Sequence, residues 1–394
     1  MKKSATNKRP YEASHPHLTF ALNLSRLDHK TWTALGAVVA KCDHIAHAIL
    51  APEVAQRVHR LYLAKGALAT TAIEGNTLSE EEVTELLAGT LKLPPSREYL
   101  GQEVENIVHA CNALTTAIAT SGIKPLTAAS IKQMNRAVLN ELDIEDHVAP
   151  GEVRTTEVVV GRYKCPPHQD CVFLLDRLCD VLNEFPLDED NPIAYAILKA
   201  IFAHLYLAWI HPFGDGNGRT ARLLEFYILI GAGLPQPACH LLSNHYNQTR
   251  SAYYRQLDRA RQTDDGVVRF ISYAIAGLAD GLSEQIDLIC EQQWDVAWIN
   301  HVHETFRTSS STTASRQRTL ALSLSRTKAP VRIADIPTLD ADLGRAYANV
   351  TTRTLHRDIE ALSGLGLVVH EDRKVRVHRE CLLAFRPWRN LASR

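Results

Sequence analysis

The sequence has no CxxC pair among its eight cysteines, Cys42, Cys111, Cys165, Cys171, Cys179, Cys239, Cys290 and Cys381. It also lacks any finger-like spacing of cysteine with histidine. That excludes a zinc ribbon or a disulfide-stapled scaffold and leaves reduced thiols in a cytoplasmic protein as the economical reading. Cys42, His44 and His47 lie close together but have no fourth ligand nearby, so they read as helix surface. Met1 to Tyr11 is polar and lacks the apolar core of a secretory signal, which predicts no export. No run spans a bilayer: the longest apolar stretch, Ala194 to Ile210, is interrupted by Lys199 and His204 and falls short of about 20 residues, so it reads as a buried helix and not a membrane segment. Charge of one sign is missing too. A formal net charge of −1 gives the whole molecule no electrostatic reason to seek nucleic acid or an anionic membrane, so any such signal must be local. Neither GxxxxGK[ST] nor GxGxxG occurs.

What is present is a chain of 394 residues, 45% hydrophobic and 22% charged, enough for a substantial core and two or three domains. A loose arm leads to apolar positions at helical spacing over Thr31 to Ile49. A second helix follows Pro52 and reaches Ile73 and Glu74, where Gly75-Asn76 supplies a stop. Ser79 with Glu82 forms a capping-box pattern that opens the next helix. Helical periodicity returns over Glu103 to Thr120, Thr127 to Leu139, Cys171 to Phe185, Pro192 to Trp209, Gly218 to Ile230 and Val267 to Cys290. The one strand pair expected lies near Arg154 to Tyr163, where Glu157-Val158-Val159-Val160 is β-branched and Gly161 turns the chain. Thr308 to Ser315 has the composition of a linker. Beyond it, residues 316–394 carry 15 Lys or Arg against 8 Asp or Glu, a net of +7, which leaves −8 for the rest.

The chemistry concentrates in His211-Pro212-Phe213-Gly214-Asp215-Gly216-Asn217-Gly218-Arg219-Thr220-Ala221-Arg222. This segment follows a strongly apolar helix and precedes another. Gly214, Gly216 and Gly218 let backbone amides approach a bound group, and the N-terminus of the following helix offers free N–H donors and the positive end of its dipole to a phosphate. Asp215 suits a magnesium ion, which takes one or two carboxylates and completes its shell with phosphate oxygens and water. Asn217 is a donor for a phosphate oxygen. Arg219 and Arg222, three apart, point their guanidinium forks to one face. His211, with an ordinary pKa of about 6.5, is the base for a hydroxyl nucleophile. A plain Gly-rich turn between core helices would explain any one of these residues, but not all of them within twelve positions.

His211 to Arg222 resembles the Fic family motif HPFx(D/E)GNGRxxR at every defined position, and the similarity extends over about Leu61 to Gly281, including the hairpin and the paired Tyr253 and Tyr254. The resemblance implies a mainly α, helical Fic fold with a short β-hairpin flap, and AMP transfer from ATP to a Ser, Thr or Tyr hydroxyl of an unidentified protein target, with self-modification also open. It implies His211 as base, Asp215 on Mg2+, Asn217 and neighbouring amides on the α-phosphate, Phe213 as loop anchor, and Arg219 and Arg222 on the outer phosphates. Gly218, where kinase-like relatives carry lysine, favours nucleotidyl transfer. The flap residues Val158, Val159 and Val160 would align a target segment by strand addition.

Thr70-Thr71-Ala72-Ile73-Glu74-Gly75 matches the family's inhibitory pattern (S/T)xxxE(G/N). A carboxylate at a helix C-terminus faces the negative end of the dipole at a cost of about 0.3–1 kcal/mol, so it calls for a cation. By resemblance that cation is Arg222, and the pair would take the place of the ATP γ-phosphate. The same glutamate serves AMP removal in some members, which stays open. Val331 to Ile336, Val350 to Leu367 and Val368 to Val377 read as helix, helix and strand hairpin, similar to a small winged-helix domain, with Leu355, Ile359 and Leu362 buried and Thr352, Arg353 and Arg357 exposed. Arg373, Lys374 and Arg376 would lie on the wing. Asp358 and Glu360 count against DNA, so DNA and protein partners both stay open. The expected organisation is a helical region with the inhibitory helix over 1–100, a catalytic core over 101–307, a linker over 308–315 and the winged-helix-like part over 316–394, without membrane contact and with a homodimer left open. The rival reading is a DNA-binding regulator whose nucleotide site only senses ligand.

Overall fold

The computed structural model describes residues 9–383 apart from 187, 264 and 328, so residues 1–8 of the expected arm and 384–394 of the expected last domain lie outside the described residues. The chain divides into two units, Met1–Asp287 and Leu288–Arg394. The first contains α1 (Pro10–Ser14), α2 (His29–Ala46), α3 (Pro52–Ala72), α4 (Glu80–Leu87), α5 (Glu98–Ser121), α6 (Ala128–Val138), the strands β1 (Val159–Val160) and β2 (Tyr163–Lys164), α7 (Cys171–Asn183), α8 (Pro192–Ile210), α9 (Asn217–Gly231), α10 (Leu241–Gln248) and α11 (Arg250–Ala260).

Local chemistry explains where these helices begin and end. Asp28 Oδ1 accepts the Thr31 amide at 2.8 Å to start α2, and Pro52 and Pro192 occupy the first turns of α3 and α8, where a missing N–H costs nothing. Ser79 and Glu82 exchange side-chain bonds with each other's amides at 2.9 and 3.2 Å. After α3 the chain turns at Gly75, whose φ of +112° few side chains tolerate.

Helix α8 is apolar all round, so it must be enclosed by other elements. By length and composition it is long and apolar enough to cross a membrane. In the structure 14 of its 19 residues are buried, with α9 packed along it and α7 and α2 beside it. Each fully buried Leu, Ile or Phe contributes about 1.5–3 kcal/mol, so this central helix fixes the loop that leaves its C-terminus.

The helix expected over Val267 to Cys290 continues as α12 (Gly266–Thr305), because Trp298, Val302 and Phe306 prolong the apolar spacing and enter the core of the second unit. The division between units therefore falls upstream of the expected linker. That linker is also partly helical: Ser311 accepts the Ala314 amide at 3.1 Å and caps α13 (Thr312–Ser325). Its serine and threonine content reflects capping chemistry as well as a loop.

The second unit continues with β3 (Val331–Arg332), α14 (Ala341–Tyr347), α15 (Thr352–Gly364), β4 (Val368–Glu371) and β5 (Lys374–Val377). The helix expected over Val331 to Ile336 is instead the strand β3 followed by a 3₁₀ turn. Its β-branched valine pairs opposite Val375, and Pro337 prevents a longer helix. The three strands are antiparallel in the order β3-β5-β4, over a core that includes Trp298, Leu320, Leu343, Ile359 and Val375.

Candidate active site

His211 is the first residue past α8 and takes a left-handed conformation, φ +48° and ψ +57°. That geometry is uncommon for a side chain with Cβ and persists only when the surroundings hold it. Here Arg154 holds it. The buried guanidinium donates from Nε to the His211 carbonyl at 2.8 Å and from its two terminal nitrogens to the carbonyls of Thr156 and Pro166 at 2.7 and 2.6 Å. The Arg154 amide donates to the Pro212 carbonyl at 2.9 Å, and Val153 bridges to Phe213, which is 1% exposed. One residue thus ties the imidazole-bearing backbone to both ends of the hairpin segment, a role that the sequence alone did not single out.

The His211 Nδ1 lies 3.3 Å from the Ala208 carbonyl. A carbonyl only accepts, so Nδ1 carries the proton and the neutral ring keeps its lone pair on Nε2. Burial lowers the pKa to about 4, with the Ala208 bond and Glu74 pulling the other way. At neutral pH the ring is an uncharged base.

Gly216, at φ +73°, forms the N-cap of α9. Asn217 turns its side chain back on the loop: Oδ1 accepts the Phe213 amide and Nδ2 donates to the Phe213 carbonyl, both at 2.9 Å. This differs from the expected side-chain contact with phosphate. Asn217 thus closes a four-residue loop, and the first-turn amides of α9 have no intrahelical acceptor. Asn135 braces the other side, donating to the Asp215 carbonyl at 2.9 Å and accepting the Gly151 amide at 2.9 Å. Gly214 fits against Val148 and leaves little room for a Cβ.

Asp215 is half exposed; its Oδ1 accepts the Gly216 amide at 2.5 Å and lies 3.3 Å from Arg219 Nη2. Arg219 is buried and donates from Nη1 to Glu103 Oε1 at 2.9 Å. Glu103 Oε2 in turn accepts Asn76 Nδ2 at 2.9 Å. Helical spacing had placed Glu103 only as a residue of α5; a long-range pairing leaves no local signal.

Arg222 is buried and uses Nη2 twice, toward the Thr70 carbonyl at 2.8 Å and Glu74 Oε1 at 2.5 Å, while its Nε and Nη1 have no hydrogen-bond partner among the described residues. The Glu74 side chain is one-third exposed. Burial pushes its pKa up, but Arg222, with Arg219 and His211, more than offsets this and holds it below the usual carboxylate value. Its Oε1 sits so close over Gly218 that a Cβ there would collide with it. The carboxylate therefore occupies the anion-favouring end of α9. Tyr254 donates to the Ile73 carbonyl at 3.1 Å at the end of α3. Its neighbour Tyr253 is instead buried against His204 Nε2 at 2.9 Å, beside a Glu225 that burial pushes up to about 8 and that accepts from Tyr246.

The hairpin is shorter than expected. Val159 pairs with Lys164 and Val160 with Tyr163. Val159 and Val160 are exposed, whereas Val158 is half-buried and accepts the Cys165 amide at 3.0 Å just outside the strand. His15 Nε2 lies 2.8 Å from the Lys164 carbonyl on the β2 side.

With this geometry in place, residues 125–229 match the Fic/DOC family. That stretch is similar to a Fic domain. Protein adenylyltransferase fic-1 of Caenorhabditis elegans is 30% identical over 241 residues, 61% of this chain and 44% of the relative. Protein adenylyltransferase Fic of Nematostella vectensis is 30% identical over 207 residues, 52% of this chain and 44% of the relative. The chain thus spans less than half the length of these curated relatives. Among solved structures, Fic-1 from C. elegans aligns with a TM-score of 0.53 at 27% identity, covering 66% of this chain and 72% of that one. A Fic family protein from Desulfovibrio desulfuricans G20 aligns with a TM-score of 0.52 at 20% identity, covering 87% and 95%, a likeness of fold alone. The match ends within α9; Glu74 and Glu103 precede it, and Arg154 lies inside it but outside the run His211 to Arg222.

Proposed function

We propose that this chain transfers AMP from ATP to a Ser, Thr or Tyr hydroxyl of a protein target, and that Glu74 restrains the reaction. The observation that carries the reading is the neutral His211, which keeps its lone pair on Nε2 and is followed six residues later by the N-terminus of α9, the end over which Glu74 now lies. In this scheme Nε2 takes the proton of the target hydroxyl, and the hydroxyl oxygen bonds to the α-phosphorus. The bond from that phosphorus to the α–β bridging oxygen breaks, and pyrophosphate leaves with the electron pair. The first amides of α9 hold the phosphate oxygens on which charge builds. The two unpartnered nitrogens of Arg222 are donors awaiting an acceptor, and the names of the curated relatives support the same reaction.

Among the described residues no group of three or more His, Cys, Asp or Glu is arranged to hold a metal. A single half-exposed carboxylate, Asp215, fits magnesium, which fills its shell from phosphate and water. When bound, that ion would neutralise charge on the phosphates. Glu74 would restrain transfer because its carboxylate takes both the Arg222 donor and the space above Gly218.

The test is labelling of protein by ATP carrying a labelled α-phosphate, with the chain taken as wild type and as Glu74→Gly. Introducing His211→Ala into either should remove covalent label while binding of a fluorescent ATP analogue persists, because the base and the phosphate donors are different groups. Undiminished labelling in the folded His211→Ala protein would sink the mechanism.

A further inference from the structure

Residues 316–394 carry +7 while the rest of the chain carries −8, and the structure shows where within the second unit that positive charge is free. Helices α14 and α15 are joined by the short stretch 348–351, and the hairpin β4–β5 follows. Leu355, Ile359 and Leu362 bury one face of α15. Of the two carboxylates on α15 that count against an anionic partner in the sequence, Glu360 is exposed past the second turn, whereas Asp358 is on that buried face as well. It is 2% exposed and fully engaged, accepting from Arg316 Nε at 2.6 Å, Gln317 Nε2 at 2.9 Å and the Tyr347 hydroxyl at 3.1 Å. Its negative charge is neutralised inside the unit by Arg316.

With Asp358 removed from the surface, the start of α15 has one sign of charge. Across 351–357 the exposed side chains are Thr351, Thr352, Arg353, His356 and Arg357, with no carboxylate among them. Arg353 and Arg357 are four apart and share a face. Neither makes a hydrogen bond or ion pair among the described residues. Two other arginines of this unit are paired instead, Arg345 with Asp342 at 2.6 Å and Arg376 with Glu380 at 3.1 Å. The positive end of the helix dipole adds to the same place. His356 Nδ1 donates to the Thr352 carbonyl at 2.8 Å. At the β4–β5 turn, Asp372 and Arg373 are both left-handed, φ +49° and +63°. The exposed Arg373 and Lys374 there offset Glu371 and Asp372.

We propose that the second unit binds duplex DNA, with the first two turns of α15 entering the major groove and the β4–β5 turn resting on the phosphate backbone. The groove admits one α-helix, and arginine forks match the O6 and N7 acceptors of guanine. Duplex DNA also suits the charge division, because the −8 of the remaining chain repels phosphate and directs it to this surface. The proposal is independent of the transfer reaction.

The test uses the full chain and a fluorescein-labelled duplex of mixed sequence, with anisotropy measured over a series of salt concentrations. If Arg353, Arg357, Arg373 and Lys374 each neutralise a phosphate, the log–log salt slope is about −3 to −4. Arg353→Ala with Arg357→Ala should reduce the slope by about 2 and weaken binding at least about tenfold, leaving ATP labelling and thermal melting unchanged. Arg345→Ala, which removes a cation already paired, should change binding little. The pair Arg353→Lys and Arg357→Lys should keep the slope and lose sequence preference, which separates charge from guanidinium recognition. Absence of duplex binding at low salt, an unchanged slope in the double alanine variant, or preference for single-stranded DNA or an acidic protein over the duplex would each overturn the proposal.

Discussion

Arg219 and Arg222 leave α9 three residues apart and each meets a carboxylate, but the two carboxylates are held in different ways. Glu103 belongs to the interior of α5, its side chain is 16% exposed, and its second oxygen is occupied by Asn76. Glu74 lies beyond the last turn of α3, its side chain is 33% exposed, and Arg222 is its one recorded side-chain partner among the described residues. Buried polar groups are normally satisfied, and unsatisfied ones call for an explanation. Arg222 keeps two orphaned nitrogens in the presence of Glu74, and Arg219 keeps only its Nε. On the proposed function the difference separates a fixed support from a removable stopper: Glu103 orients an arginine, while Glu74 would stand where a phosphate meets the other.

The strongest way to break that comparison is to remove the stopper. Glu74→Gly should raise labelling of target and of the chain itself, by up to about a hundredfold if the restrained arrangement is favoured by about 3 kcal/mol. Arg222→Ala breaks the same ion pair but also deletes the phosphate donor, so it should not reproduce the gain, and the double variant should stay inactive. A folded Glu74→Gly protein whose labelling stays at the wild-type level across ATP concentrations means that Glu74 is no brake. Loss of AMP removal from a pre-modified target in that variant would instead assign Glu74 to hydrolysis.

The support should respond in the opposite direction. In Glu103→Gln, Arg219 loses its buried charge partner and keeps Asp215 at 3.3 Å as the nearer carboxylate. Arg219 then competes with magnesium for Asp215, so in the Glu74→Gly background the rate should fall about tenfold, equivalent to about 1.4 kcal/mol. The magnesium concentration for half-maximal nucleotide binding should rise as well. A variant that only melts earlier, with an unchanged magnesium midpoint, would reduce Glu103 to a packing role.

How much of this was legible in the sequence depends on how far apart the interacting groups are. The run His211 to Arg222 brings base, carboxylate, glycines and arginines together by adjacency, so its chemistry is readable without a fold. The helices that frame it are readable because apolar spacing and capping residues such as Ser79 and Glu82 act locally. Glu103 and Arg154 were not readable, because one meets Arg219 from 116 positions away and the other meets the His211 carbonyl from 57. Asn217 was legible only in part: an amide beside a glycine-rich loop suits a phosphate or the loop itself, and only geometry shows that it bonds to both the amide and the carbonyl of Phe213. Ser311 misled, since one side-chain oxygen turned an apparent linker into the start of α13. Asp358 counted against DNA in the sequence because its cation, Arg316, lies 42 positions away and leaves no local signal.

The finest test concerns what keeps Glu74 in place. Tyr254 donates to the Ile73 carbonyl at 3.1 Å, one residue before the glutamate, and its ring is 44% exposed. Tyr254→Phe removes this hydroxyl while keeping the ring, so packing against Tyr253 is retained. A single neutral hydrogen bond contributes about 0.5–1.5 kcal/mol. If the bond exists only in the restrained arrangement, its loss should raise wild-type labelling about two- to tenfold. In the Glu74→Gly background the same substitution should do nothing, since no carboxylate remains to be positioned. Equal effects in both backgrounds would show that Tyr254 serves the nucleotide or the target instead of the end of α3, and a fall in labelling in both would place its hydroxyl in the reaction itself.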